Sequence, residues 1–311
     1  MSAPERLDGF MARANALYYG THDPFADFTT SPEISQVFGE IIGLWAAVTW
    51  EKLGRPDPVL LVEAGPGRGT LMADALRAFP QPEIHLIETS ARLRAEQAKR
   101  LPNAIWHDSL ATIPPGPMIL IANEFLDALP VRQFVHRDAG WFERHVEDAA
   151  YIDQPTDFDS PDPVGSVREI NEAAEAFVAE IARRGAIALF IDYGAATGAP
   201  AATVQALRDG KFANPLEHPG ETDITAHVDF SRLARTAQAH GAATQGPIKQ
   251  NAFLTALGLF QRTGQLAQQH PERAEDLMLA ARRLTAPEAM GSLFKVFCVC
   301  PANCPTLPGF E

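Results

Sequence analysis

Residues 59–69 read Val59-Leu60-Leu61-Val62-Glu63-Ala64-Gly65-Pro66-Gly67-Arg68-Gly69, and the order of these side chains decides the fold. The apolar run predicts a buried strand over 59–65 with an acid, Glu63, near its end. Gly65, Gly67 and Gly69 strip side chains from the turn that follows, and a helix is expected over 70–79. Strand, glycine turn and helix in this order let backbone amides approach a ligand at a helix N-terminus, as α/β nucleotide sites do. A dinucleotide fold requires Gly-x-Gly-x-x-Gly, whose amides receive a pyrophosphate. The spacing here is Glu-x-Gly-x-Gly-x-Gly, and a carboxylate ahead of the first glycine repels an anion. A nucleoside triphosphate loop is excluded as well, because no Gly-Lys-Ser/Thr follows. A structural glycine turn without any ligand is the plainer alternative.

The extra carboxylate suits a cationic amino acid. S-adenosylmethionine ends in one, with an ammonium, a sulfonium and no phosphate, and the pattern looks like the first motif of class I methyltransferases that use it. The expected contacts to its amino-acid end are Glu63, Gly65, Pro66, Gly67 and Gly69. Glu88, with Thr89 beside it, ends a second strand about 20 residues further on, where an acid accepts hydrogen bonds from ribose hydroxyls. Asp108 and Ser109 end a third strand, the place where, by resemblance to class I methyltransferases, the adenine amino group is expected to be pinned. Asn123 ends a fourth and is expected to hold the cofactor there. A solvated strand end is the alternative for each acid taken alone.

A chain of 311 residues with 46% apolar and 21% charged side chains buries a substantial core and belongs among globular proteins. Its formal net charge of −13, with no local Lys/Arg cluster, argues against a nucleic-acid groove and favours neutral or cationic substrates. Cys298, Cys300 and Cys304 lack a fourth ligand nearby and read as reduced thiols, so no metal is expected. No apolar run reaches the length of a membrane span. The opening Met-Ser-Ala-Pro-Glu-Arg-Leu-Asp carries two early acids unlike a signal or transit peptide, so the cytoplasm is the expected compartment.

Strand signals at 59–65, 84–88, 104–108, 118–123 and 188–193 alternate with helical ones at 70–79 and 90–100. Alternation of this kind predicts an α/β fold: a mostly parallel, Rossmann-like class I methyltransferase sheet with helices on both faces and cap insertions. A last strand over 293–300 is expected to pair antiparallel with one near 242–250. Ahead of the sheet, Ser31 as cap, Pro32, Glu33 and the spacing of Ile34, Val37, Phe38, Ile41, Ile42 and Trp45 predict one long helix. Residues 1–131 hold this helical segment and the first half of the sheet. Residues 132–187 form an insertion of strands, a Pro/Asp loop and a helix over 167–184. Residues 188–311 complete the sheet around a second insertion at about 194–284, mostly loop and then helices over 229–240, 251–269 and 271–284. Both insertions are expected to cover the carboxyl ends of the strands, where open α/β sheets bind ligands.

The fourth strand runs into Asn123-Glu124-Phe125-Leu126-Asp127-Ala128-Leu129-Pro130. Polar side chains directly after a buried strand face a cleft or solvent. Glu124 and Asp127 are candidate catalytic residues: two carboxylates grip a guanidinium through bidentate hydrogen bonds, and one takes up the departing proton. Helix capping is the alternative for Asp127. Asp192, in Asp192-Tyr193-Gly194 at the end of the fifth strand, brings a third acid to the same edge.

Four segments together resemble one family: Asp27-Phe28-Thr29-Thr30-Ser31-Pro32-Glu33-Ile34-Ser35 with Phe38-Gly39-Glu40; the 63–71 stretch; 123–130; and Pro219-Gly220-Glu221-Thr222-Asp223-Ile224-Thr225-Ala226-His227-Val228-Asp229-Phe230. The chain is similar, from about Ala12 to Cys300, to the MidA family of S-adenosylmethionine-dependent methyltransferases, which includes the mitochondrial complex I assembly protein. The resemblance implies a class I fold and methylation of an arginine on a complex I subunit. It also implies cofactor contacts at the positions above and an acceptor region near Glu124 and Asp127, with 27–35 folded against it. Leu207 and Gly210 depart from the family, which has an aromatic residue and a histidine there. A small-molecule N- or O-methyltransferase and a non-catalytic assembly factor, docking through an exposed Tyr18-Tyr19 and Asp23-Pro24-Phe25, are the competing readings.

Overall fold

The computed structural model describes residues 3–22, 29–79, 82–198 and 201–311. Its main sheet runs Ala242–Lys249, Phe294–Pro301, Ile187–Ala195, Met118–Asn123, Leu60–Ala64, Glu83–Ile87 and Ile105–His107, with the short Val228–Asp229 strand beside Ile187–Ala195. Phe294–Pro301 is antiparallel to both its neighbours; the pairs from Ile187–Ala195 to Ile105–His107 are parallel. The central strands are apolar throughout because both faces are covered, and period 2 divides their side chains between two cores. Leu61, Ile119, Ile121, Leu189 and Ile191 join the helix Gln36–Lys52 and the helices of 250–293 in one core. Leu60, Val62, Leu120, Ala188 and Phe190 meet Glu172–Arg184 and Phe230–Ala239 in the other. Leu60–Ala64 lies where the strand order reverses, so a crevice opens at its carboxyl end.

Several elements differ from the sequence reading. The helix expected from Ser31 is two: Ser31–Ile34, preceded by Thr30 at its cap, and Gln36–Lys52. Ser35 separates them in extended conformation, its hydroxyl accepting from the Val37 amide, a local bond that competes with helix continuation. Gln36–Lys52 then packs so close to Thr70–Ala75 that a Cβ on Gly43 would stand 2.2 Å from the Ala75 carbonyl oxygen. Val167–Ile170 forms a strand before the helix Glu172–Arg184, which Asn171 caps by accepting from the Ala174 amide. Gly258 splits 251–269 into Gln250–Ala256 and Leu259–Gln269. The stretch read as loop contains a small sheet of Gln205–Arg208, Lys211–Ala213 and Asp223–Thr225.

A further sheet joins Glu5–Arg6, Arg132–Arg137, Gly140–Glu147, Ala150–Pro155 and Val167–Ile170. Between it and the small sheet lies the N-terminal helix Leu7–Thr21, whose Leu7, Phe10, Met11 and Ala14 pack against Val131, Val146, Ala206 and Ile224. The two insertions therefore clamp this helix. No helix of the described residues is long and apolar enough to cross a membrane.

Candidate active site

At the crevice lies a cavity of about 780 Å³. Its floor is the 63–70 turn. Gly65, Gly67 and Gly69 have φ of +66°, +53° and +75°, a region L side chains rarely adopt. A Cβ on Gly65 would meet the Phe125 ring at 2.9 Å. Glu63 is 3% exposed, and its Oε2 has no hydrogen-bond partner among the described residues. Burial pushes its carboxyl up to about 8, only partly opposed by a bond from the Met72 amide.

Along one wall, Glu88 accepts from the Ser90 amide at 2.8 Å and from Gln97 Nε2 at 3.3 Å, and burial raises its carboxyl above the ordinary range. Thr89, Asp108 and Ser109 continue that wall. The Asp108 side chain is 80% exposed at the rim, 2.6 Å from Arg94 Nη2; Arg94 Nε also donates to the Glu88 carbonyl, so one guanidinium ties two strand ends together.

Across the cavity, Asn123 and Glu124 follow the fourth strand. Glu124 has φ +51°, a conformation costing about 1–3 kcal/mol in a residue with a side chain, and such strain collects at functional sites. Its amide donates to the Ile191 carbonyl, which holds the turn. Its Oε1 accepts from the Ser31 amide and from Asn123 Nδ2, each at 3.0 Å. The 29–35 segment is thereby folded onto the acid, as the resemblance implies; Asp27 and Phe28 lie outside the described residues. Asn123 Oδ1 is buried with no partner among the described residues. Burial first, then the charges of Asp127 and Asp223, push Glu124 up to about 7.

The expected site residues divide. Glu63, Gly65, Pro66, Gly67, Glu88, Thr89, Asp108, Ser109, Asn123 and Glu124 all line the cavity. Gly69 does not; it forms the left-handed cap of Thr70–Ala75. Asp192 is 1% exposed and turned inward, its Oδ2 accepting from the amides of Leu126 and Asp127 and its Oδ1 from Tyr193. It braces the 124–127 turn from behind. Asp127, 6% exposed, also lies behind the wall, bonded to the Tyr193 side chain. Burial pushes it up to about 6 and carries Asp192 well above the carboxylate range. Asp223, 4% exposed, accepts from Tyr19 Oη at 2.6 Å.

Sequence reasoning missed the roof. Asn15, Ala16, Tyr19 and Gly20 of the N-terminal helix line the cavity, whereas among the described residues the 132–187 insertion contributes Phe177 and 194–284 contributes none. Most of the expected cap role passes from the insertions to the helix they clamp. Tyr18 is fully buried and Tyr19 partly so, against the exposed docking pair expected; Asp23-Pro24-Phe25 lies outside the described residues. Leu207 and Gly210 are on the small sheet and its turn, away from the cavity. The helical spacing of Leu7, Met11, Ala14 and Tyr18 was the available signal for this helix, but it names the buried face and not the ligand face.

The donor set fits S-adenosylmethionine: an orphaned carboxylate oxygen for an ammonium, a glycine cradle that a Cβ would fill, and an acid on the ribose side. Residues 41–248 match the family described as "Putative S-adenosyl-L-methionine-dependent methyltransferase". The Drosophila melanogaster "Protein arginine methyltransferase NDUFAF7 homolog, mitochondrial" is 34% identical, covering 96% of this chain and 80% of its own length. The Homo sapiens "Protein arginine methyltransferase NDUFAF7, mitochondrial" is 33% identical over 88% and 74%. A Burkholderia thailandensis crystal structure bound to S-adenosyl-homocysteine superposes with a TM-score of 0.87 at 25% identity, covering 99% of this chain and 90% of that one. This chain belongs to that family and is an S-adenosyl-L-methionine-dependent methyltransferase.

Proposed function

We propose that the methyl acceptor is the guanidinium of an arginine in a protein. One observation carries this: Glu124, Asp127, Asp192 and Asp223 converge beside the end of the fourth strand; burial holds the first three above their ordinary carboxylate range, and repulsion from neighbouring acids adds to it at Glu124 and Asp192. A cation arriving at Glu124 relieves that repulsion; a neutral hydroxyl does not. The relatives' printed names supply the same acceptor class. The resemblance further implies a subunit of respiratory complex I as the protein that carries it.

In this reading Glu63, Gly65 and Gly67 hold the amino-acid end of the cofactor, Glu88 the ribose, and Asp108 with Ser109 the adenine. The cofactor supplies a methyl group on a sulfonium, whose departure as a neutral thioether needs no acid. The protein must align the acceptor nitrogen and receive its proton. Glu124, with a carboxyl near 7, is poised to do both. Asp192 and Asp127 hold its turn from behind. The test is incubation of the purified protein with labelled donor and a lysate, followed by acid hydrolysis. Label in methylarginine supports the proposal; label confined to small molecules would replace it with the small-molecule reading.

A further inference from the structure

The N-terminal helix is fixed over the acid cluster by bonds that leave one of its aromatic rings on the cavity wall. Asn15 Nδ2 donates to the carbonyls of Ala128 at 3.0 Å and Ile224 at 2.8 Å, and its Oδ1 accepts from the Ile224 amide. One buried side chain thus ties the helix both to the turn after Glu124 and to the strand of Asp223. A turn later, Tyr19 lines the cavity and donates its hydroxyl to Asp223 at 2.6 Å, while its carbonyl accepts from Ser90 Oγ at 3.2 Å. Tyr18 packs edge-on against the Tyr19 ring with centroids 5.2 Å apart, which limits its rotation. Asp223 and Asp127 are close enough to Tyr19 to oppose its ionisation, and the same two acids oppose that of Glu124. Tyr19 and Glu124 therefore line one cavity, with the buried Asp127 and Asp223 acting on both.

We propose that Tyr19 is an acceptor-binding residue: its ring, aimed by the hydrogen bond to Asp223, forms with Glu124 the site for a cationic methyl acceptor. The inference rests on the preceding reading that the acceptor is cationic, and adds an aromatic face to its recognition. A cation over a desolvated tyrosine gains about 1–2 kcal/mol, close to a tenfold change in affinity. The hydroxyl serves as the anchor, so phenylalanine keeps the face and loses only its aim. A tyrosine that merely braced the helix would affect stability without discriminating among ligands.

The test needs no known protein substrate. Wild type, Tyr19→Leu and Tyr19→Phe are titrated calorimetrically with S-adenosyl-homocysteine and with sinefungin, an analogue bearing an amine in place of the methylsulfonium. The S-adenosyl-homocysteine complexes are then titrated with a capped peptide holding one arginine, and with its neutral citrulline counterpart. Tyr19→Leu should bind S-adenosyl-homocysteine within about twofold of wild type, yet lose about tenfold for sinefungin and the arginine peptide. Tyr19→Phe should lose about threefold. Equal affinities in Tyr19→Leu and wild type, or a parallel loss for S-adenosyl-homocysteine with native melting, would overturn the proposal. If wild type does not prefer the arginine peptide while Tyr19→Leu still loses its preference for sinefungin, the arginine reading fails and the role of Tyr19 stands. Should Tyr19→Leu not fold, Asp223→Asn and Tyr19→Phe carry the test, and an unchanged ratio of the two cofactor analogues in both overturns it.

Discussion

Replacing Glu63 with glutamine should make the protein more stable and a poorer binder of its cofactor. Burial lifts this carboxyl from 4.5 to about 8, so at pH 7 it is mostly protonated in the folded chain and ionised in the unfolded one. A raised carboxyl contributes its full share to stability below pH 4.5 and loses it as pH rises toward 8. At 1.36 kcal/mol per pH unit, the loss accumulated by pH 7 is about 3 kcal/mol. Glu63→Gln removes it, and chemical denaturation at pH 7 should show a gain of up to that size, vanishing near pH 4. Binding tells the opposite story. An ammonium beside Oε2 needs the ionised form, whose formation at pH 7 costs about 1.4 kcal/mol. Wild-type affinity for S-adenosylmethionine should therefore climb about tenfold from pH 6 to 7 and level off near 8. There the ligand's own α-amino group begins to lose its proton. Close to one proton should leave on binding at pH 7, read as a dependence of calorimetric enthalpy on the buffer's ionisation heat. Glu63→Gln should lose the proton release and, at pH 8, tenfold or more in affinity, the scale of a charged hydrogen bond. Flat affinity between pH 6 and 8, or no stability gain in the variant, would refute the reasoning.

Three other perturbations separate the parts of the site. Glu124→Gln keeps an oxygen for the Ser31 amide and Asn123, so cofactor affinity should hold while turnover falls by about a hundredfold or more. In the wild type, turnover should rise with pH through about 7 as Glu124 ionises, and a turnover independent of pH between 6 and 8 would remove it as the proton acceptor. Gly65→Val places a branched side chain at φ +66° and 2.9 Å from the Phe125 ring; calorimetry should detect no cofactor binding, and retained affinity would contradict the cradle. Asn15→Ala leaves three backbone groups without their partner and should cost about 2–4 kcal/mol, seen as a lower Tm; an unchanged Tm would mean that Asn15 does not hold the helix in place.

The main sheet was legible because residues 59–62, 118–122 and 187–191 are unbroken apolar runs, each followed by an acid or an amide side chain: Glu63, Asn123 and Asp192. A strand buried on two faces has little other way to be written. Part of the cofactor wall followed, since Glu63 and Glu88 are each the first polar group after an apolar stretch, whereas His107 stands between the apolar residues and Asp108. What failed was orientation. Asp192 has the same sequence context as Glu88, but its oxygens meet the amides of Leu126 and Asp127 and not the cavity. Only the loop packed beside it decides that. Val167–Ile170 reads apolar, charged, charged, apolar, with no period-2 alternation to separate a strand from the first turn of a helix. The roof was hidden by distance: Asn15 bonds to a carbonyl 113 positions away, and no local pattern encodes which element a helix will cover.

Burial pushes two carboxyls of the cavity lining upward, to about 8 at Glu63 and about 7 at Glu124, and a shared cause suggests a shared use. An acid that is costly to ionise in the empty protein becomes favourable to ionise once a cation occupies the space before it. The binding free energy of each cation is then partly the relief of a desolvation penalty that the fold already carries. Two such acids facing one cavity reward two cations, one on the cofactor and one on the acceptor. Neither acid alone requires that arrangement. The bend at Glu124 supports it further, because a side chain held at φ +51° persists only where the surroundings force it, and here Ser31, Asn123 and Ile191 all do. The strain holds a carboxylate on the cavity wall, where the acceptor is proposed to bind, and residues of the N-terminal helix line the same cavity.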